Sequence, residues 1–189
     1  LRLVKQVKFL EENLDYGLVG SLAEVIDKDG ITKGNIQSLA FSCKMTKVFL
    51  FFRNCFTHSS FMYRKKFLLI VGINKNKPIA VDYETAVKIS RICKICNLDE
   101  VLVQYRQHDE SIQVKDKKNI ESNVKAILKM QIDELGINPT NKELDTHYKL
   151  KKSLSHYVNP DFFYRVMWLE KLFNANKKKM FFFFPPWGW

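Results

Sequence analysis

Two carboxylates, Asp82 and Glu84, follow a loop that contains Pro78 and open a run with helical character. A carboxylate at the start of a helix can point into a cleft and take a proton, which is general-base chemistry. The plainer role for Asp82 is the N-cap of that helix, where its side chain accepts a hydrogen bond from an unpaired backbone N–H. Downstream, Tyr105-Arg106-Gln107-His108 puts a guanidinium and an imidazole at the end of a strand pattern, beside Asp109 and Glu110. A histidine there can ligate a metal or touch a phosphate; the alternative is an exposed, locally hydrogen-bonded ring. His58-Ser59-Ser60 suggests a nucleophile beside a base. No glycine elbow surrounds either serine, which argues against a serine hydrolase. His147 and His156 fall in helical segments and read as structural.

The cysteines are Cys43, Cys55, Cys93 and Cys96. Cys93-x-x-Cys96 has redox or zinc spacing, but no second close pair completes a four-ligand site. Small core residues of a protein in a reducing cytosol is the better reading. The net charge of +11 suggests an anionic partner, namely nucleotide phosphates, nucleic acid or acidic lipid. The lysines are dispersed, however, which fits general solubility better than a binding stripe. No Gly-x-Gly-x-x-Gly and no P-loop lysine is present, so no segment cradles a nucleotide phosphate in the usual way.

The elements that must position these residues follow from periodicity. Leu3, Val7, Leu10 and Leu14 recur at helical spacing and predict an amphipathic first helix. Gly17 to Ile26 predicts a strand buried on both faces, and Asp27-Lys28-Asp29-Gly30 is a turn leading to a short return strand. A helix is expected over residues 37–52 and a strand over 58–63. A short helix over 64–71 should stop at Gly72. Asp82 should start a helix through Cys93, followed by two strand pieces over 94–98 and 100–107. Helices are then expected from Ile120 to Leu135, through Leu144 to Leu150, and from Pro160 to Ala175. The last stretch, Lys177 to Trp189, combines a lysine run with Phe181 to Phe184 and Trp-Gly-Trp and shows no period. It reads as a disordered end or as sequence that is not native coding, with a basic-aromatic membrane anchor as the other reading.

The pieces together resemble the inverting family 2 glycosyltransferases of the bacterial polysaccharide-synthesis kind. The resemblance runs from about Leu1 to Gln113. Phe9-Leu10-Glu11-Glu12-Asn13 is similar to the helix after that family's metal-binding loop, and Gly17-Leu18-Val19-Gly20-Ser21 to the core strand that follows. Asn54 with His58-Ser59-Ser60-Phe61-Met62-Tyr63-Arg64 is similar to the family's "His-small-Ser, apolar, Met, x, Arg" segment. Ala80-Val81-Asp82-Tyr83-Glu84 is similar to Glu-Asp-Tyr-Asp, whose second acid is the catalytic base. Tyr105-Arg106-Gln107-His108 is similar to Tyr-Arg-x-His. Val81 stands where the family has Glu, and Ala86 where it has Trp, a change expected to open or reshape the acceptor pocket.

The resemblance implies an α/β chain: an incomplete GT-A fold that lacks its N-terminal nucleotide-binding half. That portion would span residues 1–113, with a helical extension over 114–176 and the tail over 177–189. It also implies transfer of a sugar, with inversion, from a nucleotide-sugar to a glycan or lipid-linked acceptor. Asp82 would be the base, with His58, Arg64 and Arg106 as donor or acceptor contacts. A divalent Mg or Mn ion would be held in the full-length parent, with His108 as a ligand from this side. A cytoplasmic setting with peripheral attachment at the inner membrane face is expected, and nucleic acid is not. The chain alone is expected to be inactive, its natural N-terminus lying upstream of Leu1. Two other readings stand: a basic module that binds nucleic acid, and a degenerate transferase remnant.

Overall fold

The structure is a computed structural model that describes residues 1–36, 43–73, 79–107, 116–150 and 162–179. The described residues form a mixed α/β architecture with one four-stranded mixed sheet and seven helices. The chain divides into two compact units, residues 1–50 with 54–123, and residues 51–53 with 124–189.

In the first unit, helix α1 (Arg2–Glu12) leads into strand β1 (Tyr16–Ile26), the centre of the sheet. Leu18, Val19, Ala23, Val25 and Ile26 are all buried, as the largely apolar run predicts. Strand β2 (Thr32–Ile36) returns antiparallel to β1 through a turn at Gly30, whose φ is +88°. Helix α2 (Cys43–Leu50) follows.

The segment expected as a strand over 58–63 is instead a single 3₁₀ turn, His58–Ser60, followed by strand β3 (Met62–Tyr63). Ser60 explains the difference. Its hydroxyl donates to the Thr57 carbonyl at 2.7 Å and accepts the Ser21 N–H at 3.2 Å, so the chain coils before it can pair. Strand β3 then pairs antiparallel to β1. Helix α3 (Lys65–Val71) stops at Gly72, φ +65°, as expected.

Helix α4 (Val81–Ile89) connects to strand β4 (Lys94–Arg106), which runs parallel to β1 along its whole length. The two expected strand pieces are one strand. A register shift between Ser21 and Leu22 absorbs Asp99 and Glu100, and that irregularity breaks the alternation in the sequence.

The inward face of α1 also differs from expectation. Leu3 and Leu14 are 58% and 73% exposed, while Gln6 is fully buried beside Leu10. Gln6 Nε2 donates to the carbonyls of Ser60 at 2.6 Å and Val19 at 3.3 Å, so a polar residue occupies the core position with its donor satisfied. Cys96 is not a reduced core thiol: it forms a disulfide with Cys43, their Cα atoms 4.7 Å apart, tying α2 to β4. Cys55 and Cys93 are not part of a disulfide.

The second unit contains the rest of helix α5 (Lys117–Glu134), helix α6 (Asn141–Leu150) and helix α7 (Phe162–Lys179). Thr140 and Glu143 form a capping box at the start of α6: the Glu143 N–H donates to Thr140 Oγ1 at 3.2 Å, and the Thr140 N–H donates to Glu143 Oε2 at 2.8 Å. The last helix runs past Ala175 and takes in Lys177 to Lys179. Its core contacts include Trp168 and Leu172, buried with Leu128, Ile132 and Leu135 of this unit. Among the described residues, no helix is long and apolar enough to cross a membrane.

Candidate active site around Asp82

Asp82 sits in the first turn of α4, not at its cap. The cap position belongs to Ala80, which takes the left-handed conformation with φ 62° and ψ 23°. Ala80 is the one non-glycine residue at positive φ among those described. Such a conformation costs an alanine about 1–2 kcal/mol, and backbone strain of this kind gathers at functional sites. The Ala80 carbonyl accepts the Glu84 N–H at 3.0 Å, the first helical hydrogen bond of α4, and Asp82 lies within that turn.

Two anchors hold α4 in place. The Tyr83 hydroxyl, buried, donates to the Leu50 carbonyl at 2.5 Å. Ala86, Val87 and Ile89 are buried in the core of this unit. Ala86, the position at which the resemblance leads one to expect Trp, is fully buried. On the outer side, Glu84 and Lys88 form an ion pair at 2.6 Å.

Asp82 Oδ2 accepts a hydrogen bond from Asn54 Nδ2 at 2.9 Å. Among the described residues no other hydrogen bond reaches this carboxylate, so Oδ1 accepts none from them. The side chain is half-buried. Two phenols lie within its electrostatic reach. Burial pushes the Tyr63 hydroxyl well above the ordinary phenol range, and the nearby Asp82 charge pushes it further. Tyr105 is shifted upward for the same two causes, in the same order. Both phenols therefore stay protonated and can donate hydrogen bonds at neutral pH. Tyr63 also continues a chain of ring contacts, edge-on to Phe61, which in turn meets His58 and Phe56.

The other sequence-predicted residues are placed differently. His58 is exposed at the 3₁₀ turn, with its ring 5.7 Å from that of Phe61. Arg64 donates from Nε to the Tyr16 carbonyl at 2.9 Å and from its terminal nitrogen to the Leu10 carbonyl, which braces the end of α1 against the start of β1. Arg106 Nη1 donates to the carbonyls of Asp27 and Lys28 at 2.9 and 2.7 Å. Both guanidiniums are engaged by backbone, not aimed at Asp82. His108 lies outside the described residues.

Asp27-Lys28-Asp29 does spell an Asp-x-Asp triplet. It is the hairpin turn itself: Asp27 Oδ1 accepts the N–H groups of Asp29 and Ile31, each at 2.9 Å. Among the described residues no three His, Cys, Asp or Glu side chains gather as a group able to hold a metal. The Mg or Mn ion that the resemblance implies is expected in the full-length parent, and its expected ligand from this side, His108, lies outside the described residues. A cleft of about 630 Å³ in this unit lies towards the other end of α4, among Ser90, Arg91, Cys93 and Lys94, and does not contain Asp82.

Asn54, Tyr63 and Tyr105 are the partners that sequence reasoning left without a role. Asn54 is 28 residues from Asp82, and nothing in its local pattern marks the pairing. A scan for family models finds none that matches this chain, and no curated protein matches it.

Proposed function

We propose that Asp82 is the general base of an inverting glycosyl transfer from a nucleotide-sugar to the hydroxyl of a glycan or lipid-linked acceptor. The observation that carries the reading is the Asp82 carboxylate itself: half-buried, held through Oδ2 by Asn54, with Oδ1 accepting no hydrogen bond from the described residues and two protonated phenols nearby. A base must reach the proton it removes and present a free lone pair to it. In this scheme Oδ1 takes the acceptor proton. The acceptor oxygen's electron pair forms the new bond to the anomeric carbon, and the nucleoside diphosphate departs with the old bonding pair from the opposite face.

Tyr63 and Tyr105 can donate to acceptor oxygens, and the rings of Tyr63 and Phe61 offer apolar surface to a sugar. His58 is the exposed contact to donor or acceptor. Arg64 and Arg106 brace the scaffold through the backbone carbonyls they hold. No step is assigned to a metal. On this reading the chain supplies the acceptor side, and the donor side would come from another segment of a longer parent.

The test is nucleotide-sugar turnover by the parent protein, with and without Asp82→Asn. Loss of a positioned general base lowers the rate by about 10²–10⁴-fold. Turnover equal to wild type in that variant would remove Asp82 from the reaction. Turnover by this chain alone, abolished by Asp82→Asn, would keep the base and overturn the division of labour.

A further inference from the structure

Asp82 and Asn54 face each other from two separately anchored elements. The Asn54 amide is mounted rigidly. Its Oδ1 accepts the Phe56 N–H at 3.1 Å, which fixes which end of the amide points at Asp82, since a flipped amide would set N–H against N–H. The loop beneath it is fastened to β4, where buried Asn97 donates from Nδ2 to the Cys55 carbonyl at 2.9 Å. Cys55 and Phe56 are both buried, and Phe56 packs over Gly20 of β1, where a side chain would collide with its ring. On the opposite side, the Tyr83–Leu50 hydrogen bond and the left-handed Ala80 hold the first turn of α4.

We propose that Asn54 is the positioning residue for the Asp82 carboxylate, holding Oδ2 so that Oδ1 alone is presented to the acceptor hydroxyl. The catalytic half of this statement rests on the reading of Asp82 as the base; the positioning half does not. An amide suits the task because it supplies one directed N–H without adding a charge. Fixing the carboxylate in one rotamer removes a conformational search from the reactive encounter.

The experiment is an NMR measurement of the Asp82 side-chain rotamer in this chain, through its χ1 couplings, in wild type and in Asn54→Ala. The single wild-type rotamer is expected to be lost in the variant while signals remote from the site stay in place. Retention of one Asp82 rotamer in Asn54→Ala overturns the proposal. If Asn54→Ala does not fold, Asn54→Asp decides the matter, because its Oδ1 still accepts the Phe56 N–H. There two carboxylates sit in contact and share one proton, so their joint titration moves up in pH. The single rotamer should persist while that proton is held and be lost once both groups ionise. A rotamer indifferent to that step overturns the proposal as well. In the parent, Asn54→Ala is expected to lower kcat by about 10-fold with KM for the nucleotide-sugar unchanged. Failure of Asp82→Asn to reduce turnover would defeat the base and leave the rotamer result standing, so the two claims fail separately.

Discussion

Asp82 carries the account at the scale of single residues, and its charge is detectable through its neighbours. Tyr63 and Tyr105 both ionise less readily because of it, although burial is the larger cause for each. Asp82→Asn should therefore lower both phenol titrations toward the ordinary value of 10.0 without reaching it, read by ultraviolet absorbance against Tyr63→Phe and Tyr105→Phe controls. An unchanged pair of titrations would place the carboxylate elsewhere. The sign for stability follows. The folded phenols hold their protons above the pH at which the unfolded chain releases them, so their contribution is present below pH 10 and is lost as pH rises beyond it.

Elements position the site through a few close approaches. Gly20 of β1 lies under Phe56 and Asn97, and a Cβ there would overlap both. Gly20→Ala should destabilise the chain by about 1–3 kcal/mol, measured by urea unfolding, because the loop bearing Asn54 cannot retreat without breaking the Asn97–Cys55 hydrogen bond. Ala80→Gly should do the reverse and stabilise by up to about 1 kcal/mol, since the left-handed strain is relieved. A destabilised Ala80→Gly protein would show that this backbone conformation is not strained.

Much of the element order was legible in the sequence. The apolar run of β1, the Gly30 turn and the Gly72 stop each follow from local chemistry that tertiary contacts do not override. The misses share one cause, partners distant in sequence. Gln6 is buried because Ser60 supplies an acceptor 54 residues away. Ser60 coils its segment because Ser21 supplies a donor. Cys96 meets Cys43 across 53 residues, while the nearby Cys93 drew attention by spacing alone. At the site, Asp82 was legible as a helix-start carboxylate, yet Ala80 took the cap. Asn54 could be found only once the fold joined its loop to α4.

At the scale of the whole chain, the two units answer pH differently. His147 in the second unit is fully buried, its Nδ1 accepting the Trp168 indole N–H at 3.1 Å and its Nε2 bonded to the Phe51 carbonyl at 2.8 Å. That arrangement holds a neutral ring, and burial pushes its pKa down from 6.5 to about 4. The unfolded chain binds the proton first as pH falls, so stability present above pH 6.5 is lost on the way down to about pH 4, by roughly 3 kcal/mol in all. Thermal melts at pH 7 and pH 4.5 should show the second unit weakening, and His147→Gln should flatten that dependence. An acid response unaltered by His147→Gln would assign it to other groups.

The central claim, that Asp82 accepts the acceptor proton in a sugar transfer, is tested most directly by sugar incorporation from a nucleotide-sugar, by this chain joined to a donor-binding segment as proposed, wild type against Asp82→Asn. The account predicts a fall of about 10²-fold or more, with binding of the nucleotide-sugar retained. Incorporation at the wild-type rate by Asp82→Asn would contradict it.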